Sequence, residues 1–128
     1  MLKLKLKLSV ATLGLVLAAS AAPSFAGDAA NGAKVFKKCK ACHVVDSAKN
    51  KVGPSLQGVV GRTPGSVGGF KYSSAMTGFG ASGVVWDAAT LNTFLTKPKA
   101  LVPKTKMSFP GLKKQSDRDD VIAYLQSN

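Results

Sequence analysis

The residues of this 128-residue chain with the clearest chemical potential are Cys39, Cys42 and His43, which form the pattern Cys-x-x-Cys-His. Two thiols at this spacing can add to the two vinyl groups of a haem while the adjacent imidazole meets the iron. Imidazole is a suitable ligand for haem iron, and His43 is the only histidine in the chain. The pattern therefore predicts one haem c, attached through Cys39 and Cys42, with His43 as an axial ligand.

Three other uses of these side chains compete with haem attachment. A structural zinc site needs four nitrogen or sulfur ligands, and beyond two cysteines and one histidine the chain offers no fourth. A thioredoxin-like dithiol belongs at the head of a helix in a βαβ setting, and the sequence has no such alternation. A small cationic module whose CxxC is a thiol redox pair without haem is the remaining alternative use of the two cysteines.

The first 26 residues have the composition of an export signal. Three lysines within the first seven residues are followed by an uncharged run, Leu8 to Ala22, and then by Pro23 and the small pair Ser24 and Ala26 in the arrangement of a cleavage site. The run is shorter than the roughly 20 apolar residues of a membrane-spanning helix, so we expect no stable membrane insertion. We therefore expect a signal peptide over residues 1–26, cleavage after Ala26, a periplasmic location and one domain over residues 27–128.

The second axial ligand has to come from elsewhere in the chain. With no further histidine or cysteine, methionine is the remaining soft ligand, and Met76 and Met107 are the candidates in the mature chain. Met107 lies between Pro103 and Pro110, whose fixed φ angles stiffen the segment, whereas Met76 lies among glycines and is expected to fill apolar space. We expect Met107 to bind the iron; a peroxidase-like or gas-binding protein with an open distal site is the alternative.

Helix-capping residues predict where two helices begin. Asp28 is placed to cap a helix that runs to about Phe36, and Asp87 to begin one that ends before Pro98. A short helical turn is expected from Pro98 to Val102.

The C-terminal segment predicts a further helix, because Ser116 with Asp119 resembles a capping box ahead of an apolar run. Residues 44–82, rich in glycine, proline and serine, are expected to form surface loops with short turns. No segment has the alternation of a strand. The sequence predicts an all-α fold with about three main helices wrapped around one covalently attached haem.

The mature chain is basic. Three of the 18 lysines and arginines lie in the leader, which leaves 15 against 6 acidic residues and a net charge of +9. Export and the lack of interleaved aromatic residues argue against binding to nucleic acid. Nine lysines lie close in sequence to the predicted ligands, and we expect them to steer the acidic faces of redox protein partners; they are Lys37, Lys38, Lys40, Lys97, Lys99, Lys104, Lys106, Lys113 and Lys114.

From Gly32 to its end the chain resembles the class I cytochromes c, in the branch of mitochondrial cytochrome c and similar soluble bacterial electron carriers. The resemblance rests on residues 32–36, 52–62 and 106–114. It implies a monomer that is not an enzyme and that shuttles electrons between redox complexes of a respiratory or photosynthetic chain. A cytochrome bc-type complex, a terminal oxidase or a photosynthetic reaction centre would be its partners.

The resemblance also implies roles for individual residues. Pro54 matches the position whose carbonyl accepts a hydrogen bond from the ligand imidazole, and Met107 matches the distal ligand. Phe94 departs from the family, where a tyrosine is common, and Met76 stands where mitochondrial members have an asparagine. Four further residues match positions that donate hydrogen bonds to the haem propionates; they are Arg62, Tyr72, Trp86 and Thr105.

Overall fold

The computed structural model describes residues 14–17 and 27–128. Residues 14–17 are exposed and form no regular structure. The predicted cleavage after Ala26, and most of the predicted signal peptide before it, lie outside the described residues. Within the part of the chain that is described, no helix is both long enough and apolar enough to cross a membrane.

The described residues fold into five α-helices and contain no strand, which confirms the all-α prediction. In chain order the helices are α1 (Ala29–Val35), α2 (Ser74–Ala81), α3 (Ala88–Thr96), α4 (Pro98–Leu101) and α5 (Gln115–Gln126). A 3₁₀ turn over Phe36–Lys38 continues α1. The three main helices predicted from the sequence correspond to α1, α3 and α5.

Capping residues begin two helices where the sequence predicts them. The carboxylates of Asp28 and Asp87 accept hydrogen bonds from main-chain N–H groups in the first turns of α1 and α3. Lys97 is extended, as expected of a residue that precedes proline, and so α3 ends before it. Pro98 then opens α4 at its first position, where the missing N–H costs no hydrogen bond.

The prediction of loops over residues 44–82 is wrong for its last part, which forms α2. The Ser73 hydroxyl caps this helix by accepting a hydrogen bond of 3.1 Å from the Met76 N–H. Two glycines lie inside α2 and lower its intrinsic helix propensity. The cap and the packing of the helix against the rest of the protein outweigh that cost.

The predicted capping box at the start of the C-terminal helix is also wrong. α5 begins at Gln115, with Lys114 at its N-cap, so that Ser116 lies inside the first turn. The Gln115 amide donates to the Asp119 carboxylate at 2.7 Å. In a capping box, the Asp119 carboxylate would instead accept a hydrogen bond from the main-chain N–H of Ser116.

The contact between α1 and α5 is the most extensive between any two helices of the described chain. Gly32 lies so close to the Asp120 carbonyl and the Tyr124 side chain that a Cβ would overlap both. The Phe36 ring, only 1% exposed, packs on the Tyr124 ring at a centroid distance of 5.3 Å. The two ends of the domain therefore meet with their backbones nearly in contact.

Asp120 adds polar links to this crossing. One carboxylate oxygen accepts a hydrogen bond of 2.8 Å from the Asp28 main-chain N–H, and the other accepts one of 2.5 Å from the Asn31 amide. The bond from Asp28, and then that from Asn31, lower the pKa of Asp120, because both are made to the charged carboxylate.

The lowered pKa of Asp120 leads to a pH-dependent prediction. A carboxyl whose pKa is depressed by folding stabilises the folded state above its unfolded pKa, near 4, and loses that contribution as the pH falls through its folded pKa. Asp120→Ala should therefore lower the free energy of unfolding at neutral pH, and the difference from the unaltered protein should shrink below about pH 4. Urea titrations from neutral pH to about pH 2 measure this.

Asp46→Ala is the matched control, because it removes one carboxylate from an exposed position. Its stability should stay close to that of the unaltered protein throughout the titration. A constant deficit for Asp120→Ala at every pH would contradict the role given to the charged carboxylate.

Candidate functional site

An apolar cavity of about 380 Å³ lies within the helical core. Its volume falls in the range of small-molecule and cofactor sites, roughly 300–1,000 Å³. Every residue that the sequence predicts to hold or orient a haem lines this one cavity; these residues are Cys39, Cys42, His43, Pro54, Arg62, Tyr72, Trp86, Thr105 and Met107. Residues from almost the whole length of the domain are therefore brought together.

On one side of the cavity, a tight turn carries the two cysteines and the histidine. The main-chain N–H groups of Cys42 and His43 both donate to the Cys39 carbonyl, at 3.1 and 2.9 Å. The imidazole Nδ1 of His43 lies 2.8 Å from the Pro54 carbonyl oxygen. With Nδ1–H donating to this carbonyl, Nε2 is left as the nitrogen with a free lone pair, as metal ligation requires.

Gly53 is a site residue to which sequence reasoning gave no role. Its backbone packs so closely against the His43 ring that a Cβ would overlap the ring atoms. Its N–H also donates to the Cys42 carbonyl at 2.8 Å. Gly53 and Pro54 thus hold the imidazole from its face and from its edge, and a glycine directly before Pro54 was the available signal.

The two cysteine thiols are free and half-buried. Burial first, and then the neighbouring Cys42, raise the pKa of Cys39 to about 11, although Lys38 acts in the opposite direction. Cys39 is therefore a neutral thiol at physiological pH. The structure joins the two cysteines by no disulfide, so both sulfurs are available for bonds to another group.

The electrostatic surroundings of His43 favour its neutral form. Burial is the main cause that lowers the pKa of His43, and the charges of Lys51 and Arg62 act in the same direction. The hydrogen bond with Pro54 opposes them but does not reverse the shift. Neutral imidazole is the form that binds metals.

The segment that carries Met107 forms another part of the cavity wall. The Met107 N–H donates to the Thr105 hydroxyl at 3.3 Å, and five residues later the Leu112 N–H donates to the Leu95 carbonyl of α3 at 2.7 Å. Met76 of α2 lines the same cavity and is, like Met107, partly buried. Both methionines thus line the cavity. They differ in backbone support, because Met107 lies in a loop bonded to α3 whereas Met76 lies in the helix α2.

Phe94 and Met76, the two positions that depart from the family pattern, both contribute apolar side chains to the cavity wall. Phe94 is buried and packs on Trp86 at a centroid distance of 4.9 Å, and Phe79 packs on the same indole at 5.7 Å. Met76 adds a thioether to this region. No hydroxyl or amide of either side chain is present to hold a water molecule there.

Polar donors also line the cavity. Arg62 donates to the carbonyls of Gln57 and Ser55, at 3.1 and 2.8 Å, and burial lowers its pKa. The Tyr72 hydroxyl accepts a hydrogen bond of 3.0 Å from the Val67 N–H, so its own proton is available to a further acceptor. The cavity therefore combines an apolar interior with a few donors suited to carboxylates.

These features together fit a haem. Two free thiols at the CxxC spacing, a neutral imidazole with Nε2 available, a thioether and an apolar wall are the groups that a c-type haem requires. A zinc site does not fit, because no group of three or more histidine, cysteine or acidic side chains suited to a metal exists among residues 14–17 and 27–128.

Comparison with known proteins gives the same reading. The family model for cytochrome c matches residues 29–128, nearly all of the described chain. Cytochrome c2 of Rhodomicrobium vannielii is 50% identical over 119 residues, which cover 92% of this chain and 93% of that protein.

Solved structures extend the likeness to the fold. Cytochrome cH from Methylobacterium extorquens superposes with a TM-score of 0.73 at 48% identity, over 80% of this chain and 100% of that one. Cytochrome c2 from Rhodospirillum centenum gives a TM-score of 0.75 at 40% identity, over 79% and 98% of the two chains.

The close approach of Gly53 to the imidazole yields a test of the site. Gly53→Ala should displace the His43 ring and reduce the yield of protein with attached haem by about tenfold or more, because a Cβ has no room there. Absorbance of the haem relative to total protein measures the yield. Gly68→Ala is the control, because a Cβ at Gly68 meets nothing within 4 Å; equal yields from the two variants would refute the steric role of Gly53.

Proposed function

The chain belongs to the cytochrome c family, and we propose that it shuttles single electrons through a haem c whose iron is bound by His43 and Met107. It is a cytochrome c2-like electron carrier and not an enzyme. Its haem is covalently attached through Cys39 and Cys42, the CxxC pair of the family. The zinc site and the haem-free thiol pair considered above are thereby excluded.

One observation supports the ligand assignment above all others. The same cavity is lined by the two cysteines, by an imidazole whose Nδ1 is held by Pro54, and by Met107. The Met107 segment is held by the bond from the Met107 N–H to the Thr105 hydroxyl and by the bond from the Leu112 N–H to the Leu95 carbonyl, whereas Met76 lies on a helix of eight residues with glycines in it. A weak thioether ligand depends on a rigid support, and Met107 has the better one.

A bound haem c supplies a one-electron couple between ferric and ferrous iron. The chain's own groups would set the potential of that couple: ligation by both the Met107 thioether and the His43 imidazole would favour the ferrous state. The apolar wall around Trp86 and Phe94 acts in the same direction, because it disfavours the additional charge of the ferric state. With both His43 and Met107 bound to the iron, no coordination position would be left for a substrate.

We assign the propionate groups to the polar part of the wall. Arg62, Tyr72, Trp86 and Thr105 would donate hydrogen bonds to these carboxylates, which need such partners to remain charged when buried. Pro54 would act one step away from the iron, by orienting the imidazole and raising its basicity.

We further propose that the protein works as a soluble monomer in the periplasm, with residues 1–26 removed after Ala26 and residues 27–128 as the functional domain. The family match begins at residue 29, and the stretch before it has the basic and apolar composition of an export signal.

Redox proteins are its partners, as in the family, and we propose that acidic faces of a cytochrome bc-type complex, a terminal oxidase or a photosynthetic reaction centre receive it. All nine lysines near the ligand motifs are exposed. Lys38 and Lys106 are part of the cavity wall itself, which brings their charge to the cofactor site. A basic surface at that place would increase the rate of encounter with an acidic partner.

The ligand assignment is tested by replacing each methionine. The unaltered ferric protein should have the weak near-infrared absorption band of sulfur-to-iron charge transfer. Met107→Ala should lose this band, because no other thioether replaces the ligand, and Met76→Leu should retain it. Loss of the band in Met76→Leu and its survival in Met107→Ala would make Met76 the ligand.

The docking surface is tested by reversing single charges. Lys38→Glu and Lys106→Glu should slow electron transfer to a purified bc-type complex by roughly tenfold at low salt, and raising the salt should reduce the difference, because the Debye length falls from about 10 Å at 0.1 M to about 3 Å at 1 M. Stopped-flow absorbance measures the rates.

Lys49→Glu is the matched control, because Lys49 is exposed and outside the cavity wall. It changes the net charge by the same amount and should slow the reaction much less. Lys51 is unsuitable as a control, since its ammonium donates to the Lys40 carbonyl and its charge acts on His43. Equal slowing by all three reversals would indicate diffuse attraction without a docking surface.

A further inference from the structure

Arg118 is a buried cation that the proposed electron-transfer function does not use directly. It lies on α5 and is only 8% exposed. Its guanidinium makes four hydrogen bonds: to the Leu112 carbonyl at 2.6 Å, the Lys113 carbonyl at 3.1 Å, the Asn92 amide oxygen at 2.8 Å and the Gln115 amide oxygen at 2.7 Å. All four acceptors are neutral.

Burying a charge against neutral acceptors costs desolvation free energy, and the hydrogen bonds of the charged group must offset that cost. An arginine in the interior loses its hydration and is tolerated when its donors are satisfied. From α5, the planar fork of Arg118 bonds to α3 through Asn92 and to the segment after Met107 through Leu112 and Lys113, and it also bonds to Gln115 in the first turn of its own helix. A lysine could not satisfy this set.

The segment after Met107 is fixed to α3 at the same place. The Leu112 N–H donates to the Leu95 carbonyl at 2.7 Å, one of the last carbonyls of α3. Gly111 has a φ of +118° and lies against the Thr96 carbonyl, where a Cβ would overlap it. The main chain of Leu112 is thus bonded on both sides: its N–H donates to α3, and its carbonyl accepts from Arg118.

From this geometry we propose that Arg118 is a positioning residue for Met107. By fixing both carbonyls that follow Gly111, it holds the C-terminal end of the Met107 segment against α3 and α5 and so determines how readily the thioether leaves the iron. Asn92 and Gln115 orient the guanidinium for this task. The proposal rests on the proposed ligation of iron by Met107.

Competition by added imidazole tests the proposal, because imidazole binds ferric iron only when Met107 has left. The affinity is read from the loss of the near-infrared sulfur-to-iron band as imidazole is added to the ferric holoprotein. Arg118→Gln should bind imidazole about tenfold more tightly than the unaltered protein, since the carbonyls of Leu112 and Lys113 lose their shared donor. Arg118→Lys should behave like Arg118→Gln, because one ammonium cannot replace the fork.

Asp120→Ala is the matched control for a general loss of stability. Asp120 lies on the same helix, but it bonds to the start of α1, away from the Met107 segment. Its imidazole affinity should stay within about twofold of the unaltered protein. Should Arg118→Gln accumulate poorly, Asn92→Ala removes one of the four acceptors and is expected to tighten imidazole binding by about threefold.

The outcomes separate this proposal from the one on which it rests. An unaltered ferric protein without the near-infrared band would refute ligation by Met107, and with it the role of Arg118. A normal band with unchanged imidazole affinity in Arg118→Gln would refute the positioning role alone. Equal tightening of imidazole binding in Arg118→Gln and Asp120→Ala would assign the effect to a general loss of stability. If Arg118→Lys bound imidazole as weakly as the unaltered protein, the effect of Arg118 would come from its charge and not from its planar fork.

Discussion

The cavity at the centre of the helical core is the constraint on which the rest of the structure depends. Nine of the thirteen buried apolar side chains line it: Phe36, Val59, Trp86, Leu91, Phe94, Leu95, Leu112, Val121 and Leu125. These side chains have packing partners on the cavity side only when an apolar group fills the space between them, so the haem completes the core as well as performing the redox chemistry. The crossing of α1 with α5 closes the chain around that space.

The two proposed ligands are supported in different ways. His43 is held by residues close to it in sequence: it follows Cys42 directly, and Gly53 and Pro54 fix its ring from about ten residues away. Met107 depends on tertiary contacts, because α3 and Arg118 of α5 hold the segment that follows it. A thioether is a weak ligand, so the proposed ligation of iron by Met107 would depend on these tertiary contacts.

The fold could be predicted from local signals where these were strong. Asp28, Asp87 and Pro98 fix helix ends through their own hydrogen-bonding and steric properties, and the structure places the ends there. The helix α2 was missed because its glycines lower the local propensity, and tertiary packing with one serine cap decides its conformation. The start of α5 was misplaced because Asp119 bonds to Gln115 and Ser116 does not cap the helix.

The sequence by itself determined the chemistry of the site, because covalent haem attachment needs two thiols and an imidazole at fixed spacing, and Cys39, Cys42 and His43 provide them as near neighbours. It also singled out Met107 and Pro54 as candidates. Only the tertiary structure decided that the nine predicted site residues, spread from Cys39 to Met107, line one cavity, that the Gly53 backbone lies against the imidazole, and that a buried Arg118 holds the segment after Met107. These features depend on contacts between residues far apart in the chain, and local spacing carries no record of such contacts.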